Sequence, residues 1–510
     1  MNNTAAPAKK QVVAFRGINW SDQVQDGDLR DSRNLSARRW PYLSVRRGRA
    51  QQDATKYVGV NSLTAWGKLV ATQGTNLLYD GAVVGQVSAG PKQFAVVNTK
   101  LVIWPDKVYL DLTTGSGITP LGAKATGTSV TFTAEGAITF GSVEDLTAKF
   151  KVGDTVTISG CTGKTGNNKD VSIKGVTANT ITVSADEMTA TEKAEASVTV
   201  ERKIPDLDFI CESENRLWGC CNETQTVYAS ALGDPTNFFT YDGLATDSYA
   251  VAVGTEGEFT GCCKHSSSVL FWKEARLHKM LGSYPAEYSL YTYDIEGLQK
   301  GCHKSLVVIN EVLYYMGLHG VYAYSGGMPS LISGCFGDVS LSDAVAGNDG
   351  DTYYLSALED GKPHLLAYET ETGMWLREDD TRAVDFARIG KDLYFADDKG
   401  LVWLADGRKD DMSLEWMARF TPFYETVEGR KRYTKLLMRL ELPKGAWMKA
   451  EVRFDGGNWR ETGKVIGSDA DTIPLRVPIN RCDSFELRLS GCGPCAVKTM
   501  LLEYQVGSDV

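Results

Sequence analysis

Long apolar runs are missing from this 510-residue sequence. None approaches the ~20 residues that cross a bilayer as a helix, so no stable membrane insertion is expected. The opening MNNTAAPAKKQ has no apolar h-region, so no signal peptide is expected and synthesis is placed in a cytoplasm. Sustained i, i+3, i+4, i+7 apolar spacing is also missing, which argues against helical bundles. Histidine is scarce, and His265, His278, His303, His319 and His364 lie scattered without ligand spacing. The patterns G-x-x-x-x-G-K-[ST], H-E-x-x-H and G-x-S-x-G do not occur. With them go the phosphate-loop, zinc-protease and serine-hydrolase chemistries they carry. Asp379-Asp380 and Asp397-Asp398 are adjacent carboxylates, but among 64 acidic residues such pairs read as solvated turn residues. No catalytic residue, metal ligand or cofactor is expected, and the chain reads as a non-enzyme.

Glycine, by contrast, is plentiful. The 51 glycines suit a turn-dense β protein. Cysteine numbers 11, an odd count that in-chain pairing cannot exhaust. Cys220-Cys221 and Cys262-Cys263 fall in strand-like runs, where a reduced thiol packs as a small hydrophobe. GCGPC (491–495) has the Cys-x-x-Cys spacing of thioredoxin-like redox sites. Its flanks contradict that chemistry. Phe485, Leu487 and Leu489 alternate with Glu486, Arg488 and Ser490 upstream, and the β-compatible AVKTMLLEYQV follows. A Gly-Pro hairpin turn between two strands offers no helix N-terminus to stabilise a thiolate. Cys482, Cys492 and Cys495 make three corners of a zinc site, with no fourth ligand in view.

Charge is unevenly placed. Residues 1–50 hold ten Lys/Arg against four Asp, a balance of +6, leaving −16 on the remainder of a chain whose net charge is −10. Such an arm suits nucleic acid or an acidic face of a neighbouring subunit, or is a solvated leader. The acidic body argues against a protein that grips DNA, since that requires many neutralised phosphates.

One unit repeats along the chain: an apolar strand, a polar turn, then an aromatic strand. It occurs at 69–81, 101–110, 217–230, 270–281, 313–324, 353–369 and 393–407, the last four beginning 43, 40 and 40 residues apart. That period accommodates a four-stranded sheet with three tight turns, and radial repetition of such sheets makes a β-propeller. Residues 122–200 interrupt the rhythm with a Thr-, Val-, Ala- and Gly-rich segment free of Trp and Tyr. They read as an inserted β-barrel or sandwich, either a docking appendage or a decoration. From about Leu414 six or more alternating strands suggest a β-sandwich. The expected fold is therefore all-β: a propeller of about six or seven blades with an inserted small β domain and a C-terminal β-sandwich. The divisions are a basic arm at 1–53, propeller at 54–121 and 201–410, insertion at 122–200 and sandwich at 411–510.

The segment 15–49 resembles the opening of phage virion proteins that place a β-propeller in the tail or neck. The match to "F-x-G-hydrophobic-N" lies at Phe15, Gly17, Ile18 and Asn19; that to "R-N-hydrophobic" lies at Arg33, Asn34 and Leu35. "P-x-L-x-x-R-x-G" is met by Pro41, Leu43, Arg46 and Gly48. The C-terminal RCDSFELRLSGCGPCAVKTMLLEYQVGSD resembles the close of such proteins, with a final strand ending Gly-Ser. The resemblance implies a structural component of the virion tail, similar to tail nozzle or packaged-DNA stabilisation proteins of short-tailed phages. It implies a homo-oligomeric ring, with a hexamer expected, around DNA that passes without sequence-specific binding. Neck or adaptor proteins and tail fibres would be its neighbours. The subunit-interface candidates are Arg16, Trp20, Arg38, Arg39, Trp40, Tyr42, Arg46 and Arg47, in a segment expected to clasp the next subunit and to be dispensable for the propeller fold. The competing class is a propeller module that binds or processes a cell-surface glycan. For that class FDGGNW (454–459) is a poor signal, since it occurs once and outside the propeller repeats.

Overall fold

The computed structural model describes residues 7–115, 117–425, 429–467, 472–478 and 480–506. Among them are seven four-stranded sheets, numbered I to VII here: 60–86, 93–120, 209–252, 261–294, 307–331, 342–379 and 383–404. In the first six the strands follow one another in sequence order. Each repeat read from the sequence is the second and third strand of one sheet. Those second strands are covered on both faces: Arg216–Cys221 and Ser268–Lys273 are buried at every position. Double coverage explains why they read as near-continuous apolar runs rather than as alternation. It also buries both Cys220 and Cys221, although adjacent side chains point to opposite faces. Hairpins turn through residue pairs with positive φ, among them Asp80-Gly81, Asn310-Glu311 and Asp360-Gly361, the geometry that matches strand twist.

The chain divides into two compact units, 1–69 with 304–510, and 70–303, the cut passing through the second strand of sheet I. In the first unit the leading strand of VII, Ala383–Ile389, packs against Val60–Trp66 and against the leading strand of VI, Ser342–Asn348, which in turn meets that of V. In the second unit the leading strands of II, III and IV pack in the same succession. Sheets joined through their leading strands are the blades of a β-propeller.

The insertion lies between blades II and III. Its strands run from Ala123 to Arg202 in one seven-stranded sheet around a core that includes Phe132, Phe140, Phe150, Ile158 and Val198. It rests on the long loop of blade III: the Asn237 amide and the Thr240 hydroxyl donate to the Gly153 carbonyl at 2.8 and 3.0 Å, and Lys151 pairs with Asp234 at 2.5 Å.

The sandwich differs from its expected boundaries. One sheet orders Leu35–Ser36, Leu43–Val45, Ala496–Val506, Lys431–Glu441 and Thr472–Arg476, with Ala8–Val12 also paired to Ala496–Val506. The other orders Leu29–Arg33, Glu415–Phe420, Phe485–Cys492, Trp447–Phe454 and Arg460–Ile466. A further N-terminal strand, Ala50–Gln51, is the outer strand of blade VII, with Gln51 opposite Trp403. The segment expected as a separate arm is thus woven through both the sandwich and a blade. Short polar strands such as LRDSR carry little pattern of their own, and pairing with C-terminal strands supplies their backbone partners.

GCGPC is not a hairpin tip. Its upstream strand belongs to one sheet of the sandwich and its downstream strand to the other, so the Gly-Pro turn carries the chain across the core. Gly491 permits that passage, since a Cβ there would lie 2.3 Å from the Trp447 carbonyl oxygen. All eleven cysteines are free thiols. The Gly507-Ser508 close of the C-terminal motif lies outside the described residues. Among the described residues no helix is long and apolar enough to cross a membrane.

Candidate interaction surface

The N-terminal motif residues each meet a local requirement. Phe15 is buried against Phe420. A Cβ on Gly17 would sit 2.3 Å from the Trp375 carbonyl oxygen, so only glycine lets this segment approach blade VI, where the Ile18 N–H donates to that same oxygen at 2.7 Å. Asn34 has φ of 58°, a conformation Asn tolerates, and its side chain binds both the Glu415 carbonyl at 2.7 Å and Arg46 Nε at 2.9 Å.

Past that turn the arginines converge. Arg49 reaches Glu378 and Asp379 of blade VI, each at 2.8 Å, and Arg46 lies beside the same pair at 3.7 and 3.5 Å. Arg38 pairs with Asp349 and, at 2.8 Å, with Asp406; Arg47 shares Asp406 at 3.5 Å. Arg39 meets Glu441 of the sandwich at 2.8 Å, its guanidinium over the Tyr42 ring. Arg38, Arg39, Arg46 and Arg47 line one cavity of about 430 Å³ together with Glu378, Asp406, Asp410 and Glu441. Four cations face four carboxylates, so the cavity is neutral and its ion pairs tie the N-terminal segment to blades VI and VII and to the sandwich. Burial disfavours ionised Asp379, but Arg49, hydrogen bonds from Thr381 and Arg46 outweigh it and hold the carboxyl below its ordinary range. Burial is the largest influence on Arg46 and lowers its pKa despite Glu378.

The eight interface candidates therefore separate. Arg38, Arg39, Arg46 and Arg47 come together and are engaged within the chain. Trp40, 52% exposed, and Arg16 point outward. Trp20 stands apart from the arginines. Its indole N–H donates to the Arg30 carbonyl at 3.1 Å and its ring packs on Phe336 at 4.9 Å. It walls a second cleft of about 690 Å³ whose lining includes Asp22, Asp338, Glu359 and Asp360.

Sequence reasoning missed Arg49, Glu378 and Asp379 as a unit, because their charges lie more than 300 positions apart and only the fold brings them together. The two adjacent-carboxylate pairs are also not plain solvated turns. Asp379 is held by Arg49, and Asp397 is buried, accepting the Leu401 N–H at 2.8 Å and the Trp403 indole N–H at 2.9 Å. In FDGGNW, Asp455 accepts the N–H groups of Asp483 and Ser484 at 2.8 Å, and Trp459 lies under Arg453 and Arg488. The thiols of Cys482 and Cys492 donate to different carbonyls, those of Lys431 and Met412. Among the described residues no group of three or more His, Cys, Asp or Glu is placed to hold a metal ion.

No protein-family model matches the sequence, and no curated protein matches it. Solved structures similar to the chain include BBS1N in complex with ARL6DN, at 10% identity over 71% of this chain and 97% of that one, with a TM-score of 0.31. The WD40 β-propeller domain of Doa1 is similar at 8% identity over 61% and 90%, with a TM-score of 0.24. An exo-β-1,3-galactanase from Phanerochaete chrysosporium is similar at 8% identity over 56% and 92%, with a TM-score of 0.23.

Proposed function

We propose that this β-propeller protein is a non-enzymatic structural subunit of a phage virion tail, a nozzle- or hub-type ring around the DNA channel that helps retain and deliver the genome. The observation that carries the reading is the meeting of the two segments that bear the phage-tail resemblance. Leu43 and Ser44 of the first pair with Val497 and Ala496 of the second, and the ion pairs of Arg46 and Arg49 bind the joint to blade VI. Two distant motifs that form one module support a single origin for both.

The physics of the role is simple. A propeller blade stack joined to a sandwich by buried ion pairs is stiff, as a load-bearing ring requires. The −16 carried outside residues 1–50 repels phosphate, so DNA slides past an acidic wall rather than binding to it. With Arg38, Arg39, Arg46, Arg47 and Arg49 paired within the chain, the N-terminal segment offers a neighbour Trp40 and Arg16. Rings close by one heterologous contact repeated around the axis, and an exposed aromatic is a strong anchor for such a contact.

Mass photometry and negative-stain microscopy of the purified protein, alone and with the remaining tail proteins, test this reading. A closed ring is the expected result, weakened in Trp40→Ala. A monomer under both conditions, together with saturable binding or cleavage of a host-surface glycan, would replace it with the glycan-recognising module.

A further inference from the structure

The cleft beside Trp20 differs in charge from the arginine cavity. Asp22, Asp338, Glu359 and Asp360 line it, and no Lys or Arg does. Among the described residues Glu359 pairs only with His364, at 2.9 Å, and the other three carboxylates meet no Lys or Arg. One wall is aromatic and fixed. The Trp20 ring packs on Phe336, which packs on Trp375 at 5.1 Å, and Arg30 lies outside the lining with its guanidinium on the Trp20 carbonyl at 2.8 Å. The two sides of the cleft are bonded to each other: the N–H groups of Trp20 and Ser21 both donate to the Cys335 carbonyl, at 2.7 and 3.2 Å. Gly337, with φ of 61°, brings its Cα close enough that a Cβ would stand 3.3 Å from the Ser21 backbone.

We propose that this cleft is a docking socket for a Lys- or Arg-bearing segment of a partner protein. A cationic side chain laid against the Trp20 face gains a cation–π contact, strongest for tryptophan among the aromatics. Its charge also meets Asp22, Asp338 and Asp360, three carboxylates that pair with no Lys, Arg or His among the described residues. A neutral sugar would stack on the ring and leave those charges facing one another, and a nucleic-acid phosphate would be repelled. The walls exist before the partner arrives, which lowers the ordering cost of binding. The exposed carboxylates also speed encounter with a basic partner, an effect that salt weakens. The proposal stands independently of the ring: a monomer with this socket, or a ring without it, are both distinguishable results.

Fluorescence anisotropy of a labelled peptide of alternating Arg and Gly, added to the full-length protein, reads the interaction. Saturable binding is expected, with about a tenfold loss in Asp338→Asn/Asp360→Asn. Asp186→Asn/Glu192→Gln on the insertion makes the same change in net charge and should leave affinity within about twofold. Asn retains the left-handed turn that Asp360 adopts, so the cleft variant keeps its backbone. Trp20→Leu should weaken binding with unchanged far-ultraviolet circular dichroism; if it unfolds, the two charge variants decide alone. Equal losses in both charge variants would reduce the effect to general attraction by an acidic body and overturn the socket. Displacement of the peptide by spermidine or Mg²⁺ at equal concentration, or by a neutral oligosaccharide, would overturn it as well.

Discussion

Arg49 lies almost wholly inside the protein, between Glu378 and Asp379, with its own side chain 10% exposed. Removing one member of such a set leaves the others charged and desolvated. Arg49→Ala should therefore cost about 3 kcal/mol in denaturant unfolding, and Arg49→Lys less, because the charge survives while the two-pronged geometry does not. Glu195, in the insertion, is a second buried carboxylate with a defined cause for its acidity. The backbone N–H groups of Gly163, Lys164 and Thr162 all point at it and hold its pKa at about 2. Its folded pKa lies below the ordinary 4.5, so its contribution is complete above pH 4.5 and is lost as pH falls toward 2. Acid titration of the insertion should show that loss, and Glu195→Gln should flatten it. The thiols of GCGPC behave as packing groups. Burial pushes Cys495 up to about 12, so Cys492→Ser/Cys495→Ser should leave the melting temperature within a few degrees and no insulin reductase activity should be found in the wild type. Turnover lost in that double variant would restore the redox reading.

At the scale of elements, legibility followed burial. The second strands of the blades are enclosed on both faces, so their apolar runs mark the blade repeat in the sequence, at a count of six or seven. The insertion was legible for a different reason: its composition changes abruptly and its core is drawn from its own residues. Residues 121–203 should fold alone, with dispersed amide resonances and a single melting transition. An aggregated or unstructured product would show that the loop of blade III is part of its core. The N-terminal strands were not legible as strands. Leu29–Arg33, Leu35–Ser36 and Ala50–Gln51 are short and polar, and their partners lie hundreds of residues away. Deleting 1–51 therefore removes the outer strand of blade VII and four strands of the sandwich, and should expose Glu415–Phe420 and Ala496–Val506 to rapid limited proteolysis. Unchanged protease resistance would restore the idea of a detachable arm.

For the whole molecule, the basic start on an acidic remainder looked like an arm reaching outward, and the fold pairs most of that charge with carboxylates of the same chain. Raising salt should thus loosen any assembly through its exposed residues while leaving the junction around Arg49 intact, since buried pairs are screened far less than exposed ones. Differential scanning fluorimetry between low and high ionic strength should show only a small shift in melting temperature, and mass photometry of the proposed ring under the same conditions the larger change. The sequence by itself determined the all-β class, the blade rhythm, the place of the insertion and the existence of a C-terminal sandwich. Each of these rests on local patterning: strand period, turn residues and composition. Only the tertiary structure decided that the N-terminal segment completes the sandwich and blade VII, that GCGPC crosses between two sheets, and that Trp20 walls an acidic cleft. These depend on pairings between residues far apart in the chain, whose energies come from desolvation and geometry that no local window contains.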